Sequence, residues 1–153
     1  MIQVVWGEGV GPTEKAGFDA ALADAGLHRY NLRRLSSVIP ADTTVEQAGT
    51  APNLGPTGGV LDAVLAEQTS GPGARAAAGL AWASEPSGGV FYEVSSHDPE
   101  TVAERLQAGI EQGKTLRGID APVETRVVTA DPAPERYTSA VVAAVYGESS
   151  PLL

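Results

Sequence analysis

The sequence predicts an α+β domain in which β-sheets pack on each other and helices cover their outer faces. Three observations carry that prediction. Two segments combine helix start signals with apolar residues at helical spacing, about six runs are β-branched or small and apolar, and most runs are joined by Gly/Pro turns of the hairpin kind. At 153 residues the chain suits a single domain, able to bury about 68–70% of the surface its unfolded form exposes.

Ile2 to Trp6 is short, β-branched and aromatic, and the glycines Gly7, Gly9 and Gly11 read as a loop that ends it. Thr13 is placed to N-cap a first helix, whose apolar face is Ala16, Phe18, Ala20, Leu22 and Ala23, with Gly26 at its C′ position. Strand, glycine loop and helix invite a dinucleotide reading, but Gly-x-Gly-x-x-Gly from Gly7 requires glycine where Pro12 stands. The loop therefore reads as a turn. Residues 28–38 predict a second strand, and residues 41–59, rich in Thr, Pro, Gly and Asn, a long surface loop that covers or lines a site. Val60 to Gln68 fits a strand covered on both faces. Ala74 to Ser84, nearly all small and apolar around Trp82, fits a central strand joined through a Gly88-Gly89 turn to Val90–Ser95. Asp98-Pro99-Glu100 opens a second helix with Val102, Ala103, Leu106 and Ile110 on its buried stripe and its end near Gly113. Two more strands, Val123 to Thr129 and Thr138 to Tyr146, flank Asp131-Pro132-Ala133-Pro134, which cannot continue a ladder. The tail from Glu148 is expected to fray.

Composition removes several functions. The absence of cysteine excludes disulfides, thiolate metal sites and cysteine nucleophiles, and His28 and His97 lack partners at metal-ligand spacing, so no metal is expected. Nineteen acidic against ten basic residues give a net charge of −9, which opposes nucleic acid and anionic lipid as partners. Only Lys15 and Lys114 are lysines, a balance found in the cytoplasmic proteins of salt-loving microbes. The first residues, Met1 to Trp6, carry neither a basic region nor a long apolar run, so a soluble cytoplasmic protein without a membrane span is expected.

The chemistry centres on Tyr30-Asn31-Leu32-Arg33-Arg34-Leu35-Ser36-Ser37-Val38-Ile39-Pro40, a predicted strand running into two serines. Serines often end a strand and begin a turn. A Ser-Ser peptide can also bring the second hydroxyl beside the preceding carbonyl carbon, and that geometry permits an N→O acyl shift. The resulting ester would cleave by β-elimination, and hydrolysis of the dehydroalanine would leave a pyruvoyl group at a new amino terminus. Asn31 followed by Ser36-Ser37-Val38-Ile39-Pro40 resembles the self-cleavage site of the pyruvoyl-dependent arginine decarboxylases. Two further pieces agree in order: Phe18-Asp19-Ala20-Ala21-Leu22 resembles the family's Phe-Asp-x-Ala-Leu stretch, and Ala77 to Glu93 resembles its Ala-x-Gly-Leu-Ala…Gly-x-x-x-x-Glu segment.

The resemblance implies an αββα sandwich that assembles as a trimer with active sites at subunit interfaces. It implies self-cleavage between Ser36 and Ser37 into fragments 1–36 and 37–153, a covalent pyruvoyl cofactor made from Ser37, and conversion of L-arginine to agmatine and CO2. Schiff-base decarboxylation needs a ketone, an electron sink and an acid that reprotonates the α-carbon. Glu93, between Phe91-Tyr92 and Val94, is the candidate acid, with burial expected to raise its pKa. Asn31 is the candidate oxyanion donor for attack by Ser37. Six extended residues span roughly 20 Å, so Asn31 reaches its own Ser37 only if the strand bends, and otherwise the site is shared between subunits. Asp19 matches the aspartate that holds the substrate guanidinium, for which a carboxylate accepting two parallel hydrogen bonds is suited. Arg33 and Arg34 read as ion-pair formers on the sheet surface. Two other readings are the same chemistry on another basic amino acid, and a non-catalytic acidic oligomer subunit in which Ser36-Ser37 only ends a strand.

Overall fold

The structure, a computed structural model, describes residues 1–153 as nine strands and two helices. In chain order these are β1 (Ile2–Gly11), α1 (Glu14–Asp24), β2 (Asn31–Arg34), β3 (Val38–Ile39), β4 (Val45–Gly49), β5 (Val60–Ser70), β6 (Ala76–Glu85), β7 (Gly88–Ser96), α2 (Pro99–Arg117), β8 (Glu124–Ala130) and β9 (Tyr137–Tyr146). One sheet has the order β2-β5-β9-β1-β4 and the other β3-β7-β6-β8. The second is antiparallel throughout, whereas β1 with β4 and β2 with β5 pair in parallel. These parallel pairs depart from the expected hairpin connections.

Period-two alternation explains how the layers stack. On β9, Ala140, Val142 and Ala144 join Ile2, Val4, Val64, Leu80, Trp82 and Phe91 in the core between the sheets. Val141, Ala143 and Val145 face the other way, meeting Leu61, Ala63, Leu65, Ala21 and Ala25 beneath α1. On β6, Ala77, Ala81 and Ala83 pack with Val102, Leu106 and Ile110 of α2. Strands buried on both faces read as continuous apolar runs, as β6 and β9 do. The layers therefore run α1, five-stranded sheet, four-stranded sheet, α2. No helix is long and apolar enough to cross a membrane.

The glycines expected to form a loop after Trp6 instead extend β1 to Gly11. At alternate positions they occupy the face toward α1, where a Cβ on Gly7, Gly9 or Gly11 would lie 2.5, 2.4 or 2.5 Å from the helix backbone. Their absent side chains let α1 lie directly on the strand. Thr13 caps the helix through its hydroxyl, which accepts from the Ala16 amide, and Gly26 follows with φ +80°. Gly17 and Ala21, not the larger apolar residues, are buried beneath it.

Other boundaries move for local reasons. Residues 28–38 are not one strand: β2 ends at Arg34 and β3 begins at Val38 in the opposite sheet. The long loop contains β4, a polar edge strand paired with β1. The β6–β7 turn lies at Pro86-Ser87, with Gly88 and Gly89 already in β7. Helix α2 passes Gly113 and ends at Gly118, φ +64°, because Gly109 and Gly113 receive the ring of Tyr92 and do not stop the helix. Ala103 lies on its exposed side. The tail is tied rather than frayed as far as Ser150, which exchanges two backbone hydrogen bonds with Val60 at 2.7 and 2.8 Å.

Candidate active site

Ser36 and Ser37 lie where the chain leaves one sheet and enters the other. On the near side the Leu35 amide donates to the Ala63 carbonyl at 2.9 Å, and on the far side buried Ile39 pairs with Gly89. Between these anchors Ser37 adopts φ +83°, a left-handed conformation that a non-glycine residue keeps only when its surroundings hold it. Here they do. The Ser37 hydroxyl donates to Glu93 Oε2 at 2.9 Å, and the Ser37 carbonyl accepts the Phe91 amide at 2.8 Å. Ser36, Ser37, Tyr92, Glu93 and Arg117 line a cavity of about 290 Å³.

Glu93 stands on β7, opposite Leu80 of β6 and two residues from Phe91, so alternation puts its side chain on the face of the sheet that carries these two core residues. The expected burial is not found, since Glu93 is exposed in the protomer. Tyr146, absent from the sequence-based candidates, stands beside this site. Its hydroxyl donates to the Val38 carbonyl at 2.7 Å. Burial, followed by the negative charge of Glu93, pushes its pKa up to about 12. Arg117, at the end of α2, is a second unanticipated wall residue, and it donates to the Gly113 carbonyl at 3.2 Å. An aromatic residue closing an apolar strand and a basic residue in a last helical turn are common, so neither carried a signal in the sequence.

Asp19 and Asn31 line a different and larger cavity of about 510 Å³, lined by residues of α1 and β2 and walled also by Phe18, Leu22 and Arg34. Phe18 and Leu22, half-buried, pack against the margin of the core under α1 and also wall this cavity. The Asn31 side-chain amide donates to the Gly58 carbonyl at 2.9 Å, leaving a second N–H available. Arg34 is held by Glu67 at 3.0 Å and Arg33 by Asp62 at 2.6 Å, the surface pairs that the sequence suggested. The protomer therefore brings Ser37 to Glu93 and Asp19 to Asn31. It does not bring the two pairs into one cavity.

A model of the pyruvoyl-dependent arginine decarboxylases matches residues 1–151. The chain belongs to this family. A pyruvoyl-dependent arginine decarboxylase of Halobacterium salinarum (strain R1) is 50% identical over 157 residues, covering 99% of this chain and 96% of the relative. Those of Methanopyrus kandleri and Pyrococcus abyssi are 34% and 33% identical, covering 94% and 88% of this chain and 93% and 86% of theirs. The family name implies a covalently bound pyruvoyl group, and the surroundings of Ser37 fit one. The carbonyl that would adjoin the ketone is fixed by the Phe91 amide, a carboxylate meets the side-chain position, and an open cavity adjoins both.

Proposed function

We propose that the protein cleaves itself between Ser36 and Ser37 and, once processed, converts L-arginine to agmatine and CO2. The observation that carries this reading is the Ser37 hydroxyl held against Glu93 at a left-handed kink, in a chain matched by the family over residues 1–151. Glu93 takes the hydroxyl proton as Oγ attacks the Ser36 carbonyl carbon, and the peptide C–N bond breaks to leave an ester and a free amine. Loss of the Ser37 α-proton then breaks the Cβ–Oγ bond. Fragment 1–36 leaves with the carboxylate, and water replaces the nitrogen at the dehydroalanine, releasing ammonia.

The pyruvoyl ketone supplies a partner for the substrate α-amine and an acceptor for the electron pair left as CO2 departs. This chain's residues supply the rest. Glu93, facing the new terminus, returns a proton to the substrate α-carbon, and Arg117 lines the same cavity. Asp19 accepts the guanidinium hydrogen bonds, and Phe18 and Leu22 offer apolar surface to the aliphatic stem. Asn31 donates its remaining N–H to the oxyanion formed at Ser36. Because Asp19 and Asn31 line a cavity apart from Ser37 and Glu93, the complete site is assembled between subunits, consistent with a trimer.

Denaturing electrophoresis with intact mass tests the processing step. Fragments 1–36 and 37–153 are expected, the larger without a free amino group at its start, together with agmatine release from arginine in preference to lysine or ornithine. A single uncut and inactive chain would overturn the reading.

A further inference from the structure

Three tethers converge on the Ser37 kink, and they come from different layers. Glu93 and the Phe91 amide belong to β7, in the same sheet as β3. The third is the Tyr146 hydroxyl, at the end of β9 in the opposite sheet, where Tyr146 pairs with Ile2. It reaches across the sandwich to donate a hydrogen bond, at 2.7 Å, to the carbonyl of Val38, the residue after Ser37. Its ring is fixed by packing: Phe91 lies 6.3 Å away between centroids, and Trp82 lies 5.9 Å from Phe91.

We propose that Tyr146 is a positioning residue for self-processing, holding Val38 against the opposite sheet so that Ser37 stays kinked with its hydroxyl poised for the Ser36 carbonyl carbon. This inference rests on the self-cleavage reading above. A non-glycine residue keeps a left-handed conformation only where its surroundings over-determine it. Tethers confined to one sheet let Ser37 and Val38 move together with β3, whereas a bond from the other sheet fixes that pair relative to the Leu35 side of the scissile bond. Leu35 is itself tied by its amide to β5, in the sheet that carries Tyr146. Tyr146 and β5 thus hold both flanks of the Ser36–Ser37 bond to one frame. The phenol is protonated, and so a donor, at neutral pH, and burial with the nearby carboxylate of Glu93 extends that range into alkali.

The test compares wild type with Tyr146→Phe, which retains the ring and removes only the hydroxyl. Cleavage of freshly made precursor is followed by denaturing electrophoresis. The variant is expected to process about tenfold more slowly, equivalent to ~1.4 kcal/mol in the barrier. The KM for arginine of its processed fraction should equal that of wild type. Stability is read separately in the uncut Ser37→Ala background, with and without Tyr146→Phe, and the two melting temperatures should agree. Wild-type cleavage rates in Tyr146→Phe would overturn the inference, as would slow cleavage accompanied by a matching loss of melting temperature, which marks a merely structural bond. Failure of wild type itself to cleave would instead overturn the self-cleavage reading on which the inference stands.

Discussion

Ser37 and Glu93, 56 residues apart in sequence, are joined by a hydrogen bond of 2.9 Å in which the hydroxyl donates to the carboxylate. On the proposed mechanism that bond places a base at the attacking oxygen before cleavage and leaves an acid facing the same position afterwards. Replacing Glu93 with Gln keeps the size and a hydrogen-bond acceptor but cannot exchange a proton at neutral pH. Decarboxylation by Glu93→Gln, normalised to the number of processed chains, should fall by about 10²–10⁴-fold, the usual worth of a general acid or base. CO2 release under saturating arginine measures it. A drop of less than a few-fold would remove Glu93 from proton transfer.

Asp19 and Asn31 share a cavity that excludes Ser37 and Glu93. Loss of the charged acceptor in Asp19→Asn should cost about 1.5–3 kcal/mol of substrate binding, or roughly 10–150-fold in kcat/KM, carried by KM more than by kcat. Initial rates across arginine concentrations separate the two. The proposed sharing of the site between subunits gives a sharper expectation: Asp19→Asn and Glu93→Gln chains, each impaired alone, should recover activity when co-expressed in one oligomer. No recovery in mixed oligomers would place both half-sites' function within a single chain.

Much of this arrangement is legible before any coordinates. β5, β6, β9 and α2 announce themselves because their apolar residues follow the period of the element that buries them. The misreadings share a cause, which is that the partner deciding the outcome is distant in sequence. Gly7, Gly9 and Gly11 look like a loop until α1 is seen to lie on them, and Gly113 looks like a helix end until Tyr92 is seen against it. β4, Val45-Glu46-Gln47-Ala48-Gly49, is an edge strand with little burial and therefore little pattern. At the site, the serines and Glu93 stand out as residue types in a recognisable order. The passage of the chain between sheets at Ser36-Ser37, and the tether from Tyr146, arise from topology and leave no local mark.

The glycine face of β1 yields a stability prediction. A Cβ on Gly9 would lie 2.4 Å from the Ala21 amide nitrogen and 2.6 Å from the Ala20 carbonyl carbon, both of them backbone atoms that cannot rotate aside. Gly9→Ala must push α1 off the sheet, so a cost of about 1–3 kcal/mol is expected from overpacking, at ~2–4 °C of melting temperature per kcal/mol for a chain of this size. Gly71→Ala, where a Cβ meets nothing within 4 Å, is the control and should melt near wild type. Calorimetry of the three proteins decides, and equal melting temperatures for Gly9→Ala and wild type would mean that α1 does not rest on the strand.

The tether from Tyr146 also has a signature in alkali. Burial first and the Glu93 charge second disfavour the phenolate, raising the pKa from 10.0 to about 12. A group whose folded pKa lies above its unfolded one contributes stability that is complete below the unfolded value and is lost as pH rises through the folded value. Ionisation of Tyr146 therefore leaves stability unchanged below pH 10 and lowers it between pH 10 and about 12. Two measurements follow. The tyrosinate absorbance of wild type minus that of Tyr146→Phe should titrate near 12, and the urea midpoint of wild type should fall more steeply than that of the variant from pH 10 upward. A difference spectrum that titrates at 10 would show the phenol to be solvated, with neither the buried ring nor the neighbouring carboxylate acting on it.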